Sequence, residues 1–450
     1  MRYESRNPSN GVLLRAFDFH DFPDLDVSLQ AFKKWKRLEV EERDGYLQRL
    51  AGLLKSRQRQ LAEIITTEMG KPIRESLYEV EKTLTLFDYY GRYASAYLEP
   101  KQVATPASKS YYIYEPLGII LCVMPWNFPF WQVFRFAVPA LYAGNVIILK
   151  HAPNVPQCAL EIEKLFSEAE LPEGTLKNYF LKNETVLELI AHPAIAGLSF
   201  TGSDATGSFL AQQAGKYIKK TVLELGGNDA FIVLKDADLD YAVAGAIKSR
   251  SINAGQACNG AKRFIVVKEV ADVFTHKLIE KVFQLKVGDP SDPETQIGPL
   301  ARMDLLERVR SQVAESIRQG AVAHVSPVSL PKEGYYFAPM VLTRVKPGII
   351  AFEEEIFGPV FSVVVAEDTA HAVQLANQSK YGLAASVWTN DVKAAEKLIG
   401  ELECGNVFIN DIVKSDTRLP FGGIKRSGYG RELSEAGLKE FVNIKTVFIK

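Results

Sequence analysis

The chain is poor in cysteine, lacks any long apolar run and carries almost no net charge, and each shortage closes off a class of function. Its four cysteines, Cys122, Cys158, Cys258 and Cys404, lie far apart and form no CxxC pair or Cys/His cluster. That argues against a zinc site and a disulfide framework, and it fits a reducing compartment. No stretch reaches the roughly 18 apolar residues of a membrane-spanning helix, and the opening MRYESRNPSNG lacks the apolar core of a secretory signal. The expected location is the cytoplasm. Lys and Arg total 53 against 54 Asp and Glu, so no global field draws the chain to nucleic acid or to an acidic membrane. None of the six histidines is placed to pair with a cysteine as in a cysteine hydrolase.

What is present is ordinary globular material, 47% hydrophobic and 24% charged over 450 residues, enough for two or three domains. From Asp26 to about Tyr97, Leu47, Leu50, Leu54, Leu61, Ile64 and Ile65 recur at helical spacing, and Gly70 and Pro72 interrupt the run. Two or three helices are expected there. Pro100 to Glu115 is β-branched and aromatic between prolines and reads as a strand or hairpin arm. From Leu117 to Lys235 the runs GIILCVM, NVIILK, NYFL, GLSFTG and TVLELG alternate with helical patterns. A second series, AFIVL, RFIVV, FSVVVA, SVWT and NVFIN, begins at Ala230. Strands alternating with helices imply βαβ crossovers and parallel sheets covered on both faces. The tail from Leu438 to Lys450 ends in a strand-like alternation that, like the arm, is free to leave its own domain.

Four stretches at strand ends carry residues suited to chemistry. SINAGQACNG, at Ser251 to Gly260, displays Cys258 among small neighbours, so a substrate can approach the thiol and backbone N–H groups can face an oxyanion. A lone cysteine is by itself more often a buried structural thiol. LELGG offers Glu224 as a general base, provided that burial lifts its pKa from about 4.3. PWNFP holds Asn127 between prolines and aromatics at the end of an apolar strand, where its amide can serve an oxyanion hole. FTGSDATG runs from strand to helix through Gly202 and Ser203, a phosphate-type turn without the full GxGxxG pattern.

In order and spacing these stretches, with EEIFGPV at Glu354 to Val360 and PFGGIKRSGYGRE at Pro420 to Glu432, resemble the aldehyde dehydrogenase superfamily over nearly the whole chain. The resemblance implies an α/β fold with a Rossmann-like parallel-sheet cofactor domain (1–97 and 117–225), a second α/β catalytic domain (226–428), and small β oligomerisation elements (98–116 and 438–450). It implies Cys258 as nucleophile, Asn127 as oxyanion donor and Glu224 as the base for thioester hydrolysis. NAD or NADP is the implied cofactor, held by Trp126, Lys150, Gly202, Ser203, Glu355 and Phe357. A homodimer or homotetramer follows from the bridging elements.

Two positions depart from the family. Pro153 stands where many NAD-preferring members place a glutamate for the ribose, so strict NAD specificity is not implied. Phe136 stands nine residues after Asn127, where many members carry a lysine, so a proton relay through Glu432 lacks its usual partner. The stretch PWNFPFWQVFR followed by KHAPN looks most like bacterial members that oxidise succinate semialdehyde. By that likeness Arg135 would take the distal carboxylate and Ser415 would add a hydroxyl, with Arg250 and Arg418 as secondary candidates. Other readings are an enzyme for uncharged aliphatic or aromatic aldehydes, a CoA-acylating enzyme, and a non-catalytic scaffold of the same fold.

Overall fold

The computed structural model describes residues 2–450. Five parallel strands form the first sheet, in the order Lys220–Glu224, Ile195–Thr201, Ile119–Val123, Val146–Lys150 and Leu176–Asn178, and Gly428–Tyr429 adds antiparallel at one edge. Every residue of Ile119–Val123 is buried, as expected for a central parallel strand with helices on both faces. The chain leaves this strand in one direction to Val146–Lys150 and later returns on its other side to Ile195–Thr201. The carboxyl end of Ile119–Val123 is therefore a topological switch point, where open α/β sheets bind ligands. Asn127 lies there.

The second sheet has seven strands, ordered Val322–Val325, Met340–Val345, Val360–Ala366, Arg263–Val267, Ala230–Val233, Ala384–Trp388 and Asn406–Ile409. All pair in parallel except Val322–Val325. Each sheet has its own apolar core. Late in the chain Phe421, Leu433, Leu438 and Phe441 pack into the first core, so the backbone has returned to the first sheet before position 428.

The two strand-like segments thought free to leave their domains pair with each other. Val442–Ile449 runs antiparallel to Lys109–Pro116, from Val442 opposite Pro116 to Ile449 opposite Lys109, with Lys101–Gln102 on the other side. Ile444 and Phe448 on the outer strand are exposed.

The structure differs from expectation in several places. Four helices, Leu25–Trp35, Val40–Ser56, Gln58–Met69 and Ile73–Leu98, occupy the stretch read as two or three. The break at Arg57 has no glycine or proline to mark it, whereas Gly70 at φ +79° ends the third helix as a left-handed cap. A hairpin of Tyr3–Arg6 and Leu13–Phe17 and the strands Val322–Val325 and Met340–Val345 had no counterpart in the reading. Met340–Val345 is interrupted by a register shift where Arg344 takes φ +56°, which hides its alternation. The strand placed at NYFL lies slightly earlier, at Leu176–Asn178.

The turn carrying Asn127 is held by buried charge. Glu79, on the long helix Ile73–Leu98, pairs with Lys71, and both are inaccessible to solvent. The other oxygen of Glu79 accepts from the backbone N–H groups of Phe130 (2.8 Å) and Trp131 (3.0 Å), where helix Trp131–Tyr142 starts with unsatisfied donors. The Lys71 ammonium lies 3.7 Å over the Phe128 ring. His151 donates from Nε2 to the Pro129 carbonyl at 2.9 Å, because its Nδ1 already accepts from Ala152 N–H. Glu79→Ala is expected to cost about 3–5 kcal/mol by leaving Lys71 buried and unpaired, read as a lower urea midpoint. Glu81→Ala, at an exposed position two residues on, should stay within about 0.5 kcal/mol of the parent. Equal midpoints for the two variants would contradict this account.

Candidate active site

Cys258 is presented by an irregular loop with a built-in reason for each residue. Helix Leu239–Ser251 ends in a turn where Asn253, Ala254 and Gly255 all have positive φ (53°, 52° and 77°). Only glycine fits at Gly255, since a Cβ there would strike the carbonyl of Gly358. Gln256, fully buried, is the hub. Its side chain accepts from Ala301 N–H and donates to the Asn253 carbonyl, each at 3.0 Å, and its own carbonyl accepts from Asn127 Nδ2 at 3.0 Å. Asn253 Nδ2 donates to the Asn127 carbonyl at 2.8 Å. The ends of the two sheets are thus clasped together, and one N–H of the Asn127 amide remains for a ligand.

Cys258, Asn127, Trp126, Gly202, Ser203, Glu355 and Phe357 all line one cavity of ≈ 920 Å³ with its open mouth. Trp126 and Phe357 meet edge to face at 6.0 Å. Ser203 caps the 13-residue helix Asp204–Lys216, accepting from Thr206 N–H at 3.3 Å. Glu355 accepts from Gly227 N–H at 3.3 Å and pairs with Lys262 at 3.2 Å. Lys262 also donates to the carbonyls of Ala257, at 3.0 Å, and of Cys258. Burial pushes the Cys258 thiol up to about 11, with Arg135 and Lys262 pulling it down and Glu355 and Glu224 adding to the rise.

Other expected site residues lie outside this cavity. Lys150 is at its strand end with the ammonium 5.8 Å over Tyr3, and burial lowers it to about 8. Glu224 is buried and turned inward, where desolvation and the charge of Glu432 hold its carboxyl well above the usual range. One of its oxygens has no partner and rests against Gly422, where a Cβ would stand 2.7 Å away. Ser415 accepts from Lys82 Nζ at 2.7 Å.

Arg135 also lies outside this cavity. It is buried, its Nε pairs with Glu432, and its guanidinium faces the Phe421 ring at 5.3 Å. Its Nη2 is buried without a hydrogen-bond partner. Glu432 lacks the lysine at Phe136, as expected, and pairs with Arg135 one residue earlier. Phe136 instead packs edge to face on Phe441. Arg250 donates to the carbonyls of Val360 (2.8 Å) and Ile356, and Arg418 pairs with Asp416 on the surface, so neither reaches the cavity.

The aldehyde dehydrogenase family model matches residues 24–447. The chain belongs to that family. It is 45% identical over 447 residues to a protein of Synechocystis sp. named "Probable succinate-semialdehyde dehydrogenase [NADP(+)]", covering 98% of each chain. It is 42% identical to the succinate semialdehyde dehydrogenase of Escherichia coli named for NAD(P)+, covering 99% of this chain and 97% of that one. The succinic semialdehyde dehydrogenase of Streptococcus pyogenes, solved with NADP+ as the cofactor, superposes with a TM-score of 0.95 at 36% identity, covering 99% of both chains.

In this aldehyde dehydrogenase the sequence reading overlooked Gln256, Asn253, Lys262, Gln132, Glu79 and Lys82. Lys262 had one visible signal: with Arg263 it puts two cations directly before the buried run FIVV, where charge is kept only if partnered. A thiol at about 11 is neutral at physiological pH and gains thiolate as pH rises. Alkylation of Cys258 by iodoacetamide in the free enzyme should therefore accelerate about tenfold per pH unit between pH 7 and 10. Lys262→Met should slow it further at each pH. A rate already level by pH 8 would show that the thiol is not raised.

Proposed function

We propose that this enzyme oxidises succinate semialdehyde to succinate with NADP or NAD, in the cytoplasm, as a homodimer or homotetramer. The reading rests above all on Cys258 and the Asn127 amide sharing one cavity while both are tied to Gln256. The names of the relatives support the substrate. The exposed outer strand Val442–Ile449 supports assembly through an edge. The two cores support one unit of 1–97 with 117–225 and a second from 226 on, though Phe421 already packs in the first core; 98–116 and 438–450 are proposed as bridging elements.

The cofactor end fits a dinucleotide. Lys150 is a half-buried cation with no carboxylate partner among the described residues, and Asn154 has both amide atoms buried and unpaired. The Pro153 carbonyl accepts from Glu4 N–H at 2.9 Å, and position 153 itself carries no carboxylate to repel a 2′-phosphate. Gly202 and Ser203 would hold the pyrophosphate at the helix start, Glu355 the nicotinamide ribose, and Trp126 and Phe357 the ring. When bound, the nicotinamide accepts the two electrons and the hydrogen that leave the substrate carbon.

The side chains divide the remaining work. The Cys258 thiol gives its proton to solvent water, its sulfur bonds to the aldehyde carbon as the carbonyl π bond opens, and the oxygen becomes an alkoxide facing the free Asn127 N–H and the Cys258 backbone N–H. Oxidation at that carbon leaves a thioester. Glu224 swings from its place beside Gly422 and takes a proton from water, whose oxygen bonds to the thioester carbon. The carbon–sulfur bond then breaks, and the sulfur departs with its electron pair as the acid is released. Burial favours the protonated form in the resting position, so leaving that site restores the carboxylate that takes the proton.

The test is a panel of semialdehydes and neutral aldehydes with each cofactor. Succinate semialdehyde should exceed pentanal in kcat/KM, and NADP should serve at least as well as NAD. Asn127→Ala should lower kcat by about 10²–10³, and Cys258→Ala should abolish turnover. Equal rates in Cys258→Ala and the parent would defeat the mechanism. Because Arg135 is internally paired, an enzyme for uncharged aldehydes is the second reading, and equal kcat/KM on the two substrates would favour it.

A further inference from the structure

The clasp between Asn127 and the Cys258 loop is fastened from outside the cavity by one side chain. Asn253, fully buried, joins the two halves of the clasp. Its Nδ2 donates to the Asn127 carbonyl at 2.8 Å and to the Gln256 carbonyl at 3.3 Å, and its own carbonyl accepts from Gln256 N–H at 2.9 Å and Gln256 Nε2 at 3.0 Å. Asn253 and Ala254 both stand in the left-handed region, which is costly for residues with a side chain. Such a turn persists only where its surroundings hold it. The backbone N–H of Asn253 donates to Glu75 Oε2 at 2.7 Å, across 178 positions of sequence.

Glu75 is half-buried on helix Ile73–Leu98 and does not line the cavity. The charged groups facing it are Lys71 and Glu79, which pair with each other. Its neighbour Arg74 pairs with Glu294 on the surface. Among the described residues the Asn253 N–H is therefore the one partner of the Glu75 carboxylate. A bond to an ionised acceptor is about twice as strong as a neutral one, and its loss leaves a buried N–H unpaired inside a strained turn.

We propose that Glu75 is a positioning residue for aldehyde oxidation: by pinning the Asn253 N–H it fixes the turn that aims the Asn127 amide at the substrate oxygen. It acts through Asn253 and touches neither substrate nor thiol. The proposal rests on the oxyanion role given to Asn127 above. Burial raises the Glu75 carboxyl to about 7, with the Asn253 N–H and Lys71 opposing the shift and Glu79 adding to it. The group is ionised above neutral pH, where it is the stronger acceptor, and neutral below.

The experiment measures kcat and KM for succinate semialdehyde and for pentanal in the parent, Glu75→Ala, Glu75→Gln, Asn127→Ala and the Glu75→Ala/Asn127→Ala double variant, from pH 6 to 9. At pH 8 Glu75→Ala should lower kcat by about 10- to 100-fold, the range for a hydrogen bond to a charged group, alike on both substrates and with KM little changed. In the Asn127→Ala background the same substitution should cost less than about threefold, because residues that act as a unit are not additive. Glu75→Gln keeps an acceptor without the charge, so its kcat should match the parent at pH 6 and fall severalfold behind it by pH 8; the ratio of the two cancels the pH dependence of the thiol. Glu81→Ala, exposed on the same helix, should match the parent throughout. Losses that multiply in the double variant would overturn the positioning role, as would a parent-like kcat in Glu75→Ala. So would a ratio of parent to Glu75→Gln that ignores pH, and this comparison decides the matter if Glu75→Ala fails to fold. A parent-like kcat in Asn127→Ala overturns the oxyanion role itself, and the part given to Glu75 with it.

Discussion

The constraint on which the site depends is the pair of hydrogen bonds between Asn127 and the Cys258 loop. Asn127 gives one amide proton to the Gln256 carbonyl and receives Asn253 Nδ2 at its own carbonyl. These bonds are buried, where an unmade partner costs about 1–3 kcal/mol, so they hold the end of one sheet in register with the other. They also leave the nucleophile and the amide donor within one cavity. The three consecutive positive φ angles before Gln256 are the local cost of bringing that loop back to Asn127.

The long helix Ile73–Leu98 supports this clasp from behind. Glu75, Glu79 and Lys82 recur at i, i+4 and i+7, so they share one face. Glu75 accepts from the backbone N–H of the left-handed Asn253 at 2.7 Å, Glu79 caps the helix after PWNFP, and Lys82 reaches Ser415. One helical stripe thus touches the Cys258 loop, the Asn127 turn and the loop bearing Ser415. In sequence the same charges look like the solvated side of an amphipathic helix. Burial separates the two cases, and burial is a property of the packed molecule.

Arg135 shows the reverse. A guanidinium in a helix near the oxyanion asparagine has the right chemistry for a carboxylate, and nothing local excludes that role. Glu432, nearly three hundred residues later, takes the pairing because Phe421, Leu433, Leu438 and Phe441 carry the chain back into the first core. That return also places Glu432 near Glu224; desolvation raises both carboxyls, the charge of Glu432 adds to the rise at Glu224, and Arg135 offsets both. Glu224 points inward against Gly422 and is absent from the cavity lining.

Local pattern was enough to reveal the alternation of strands and helices, the strand-end placement of Cys258, Asn127 and Ser203, and the pairing tendency of the arm and tail. Those features are periodicities of 2 and 3.6 and short motifs, written in neighbouring residues. The long-range decisions belong to the tertiary structure: which carboxylate Arg135 meets, which cation is left unpaired, where Glu224 points, and that Lys262 braces both Glu355 and the Cys258 carbonyl. Each depends on desolvation and on charges brought together from distant parts of the chain, and a Coulomb interaction has no sequence period.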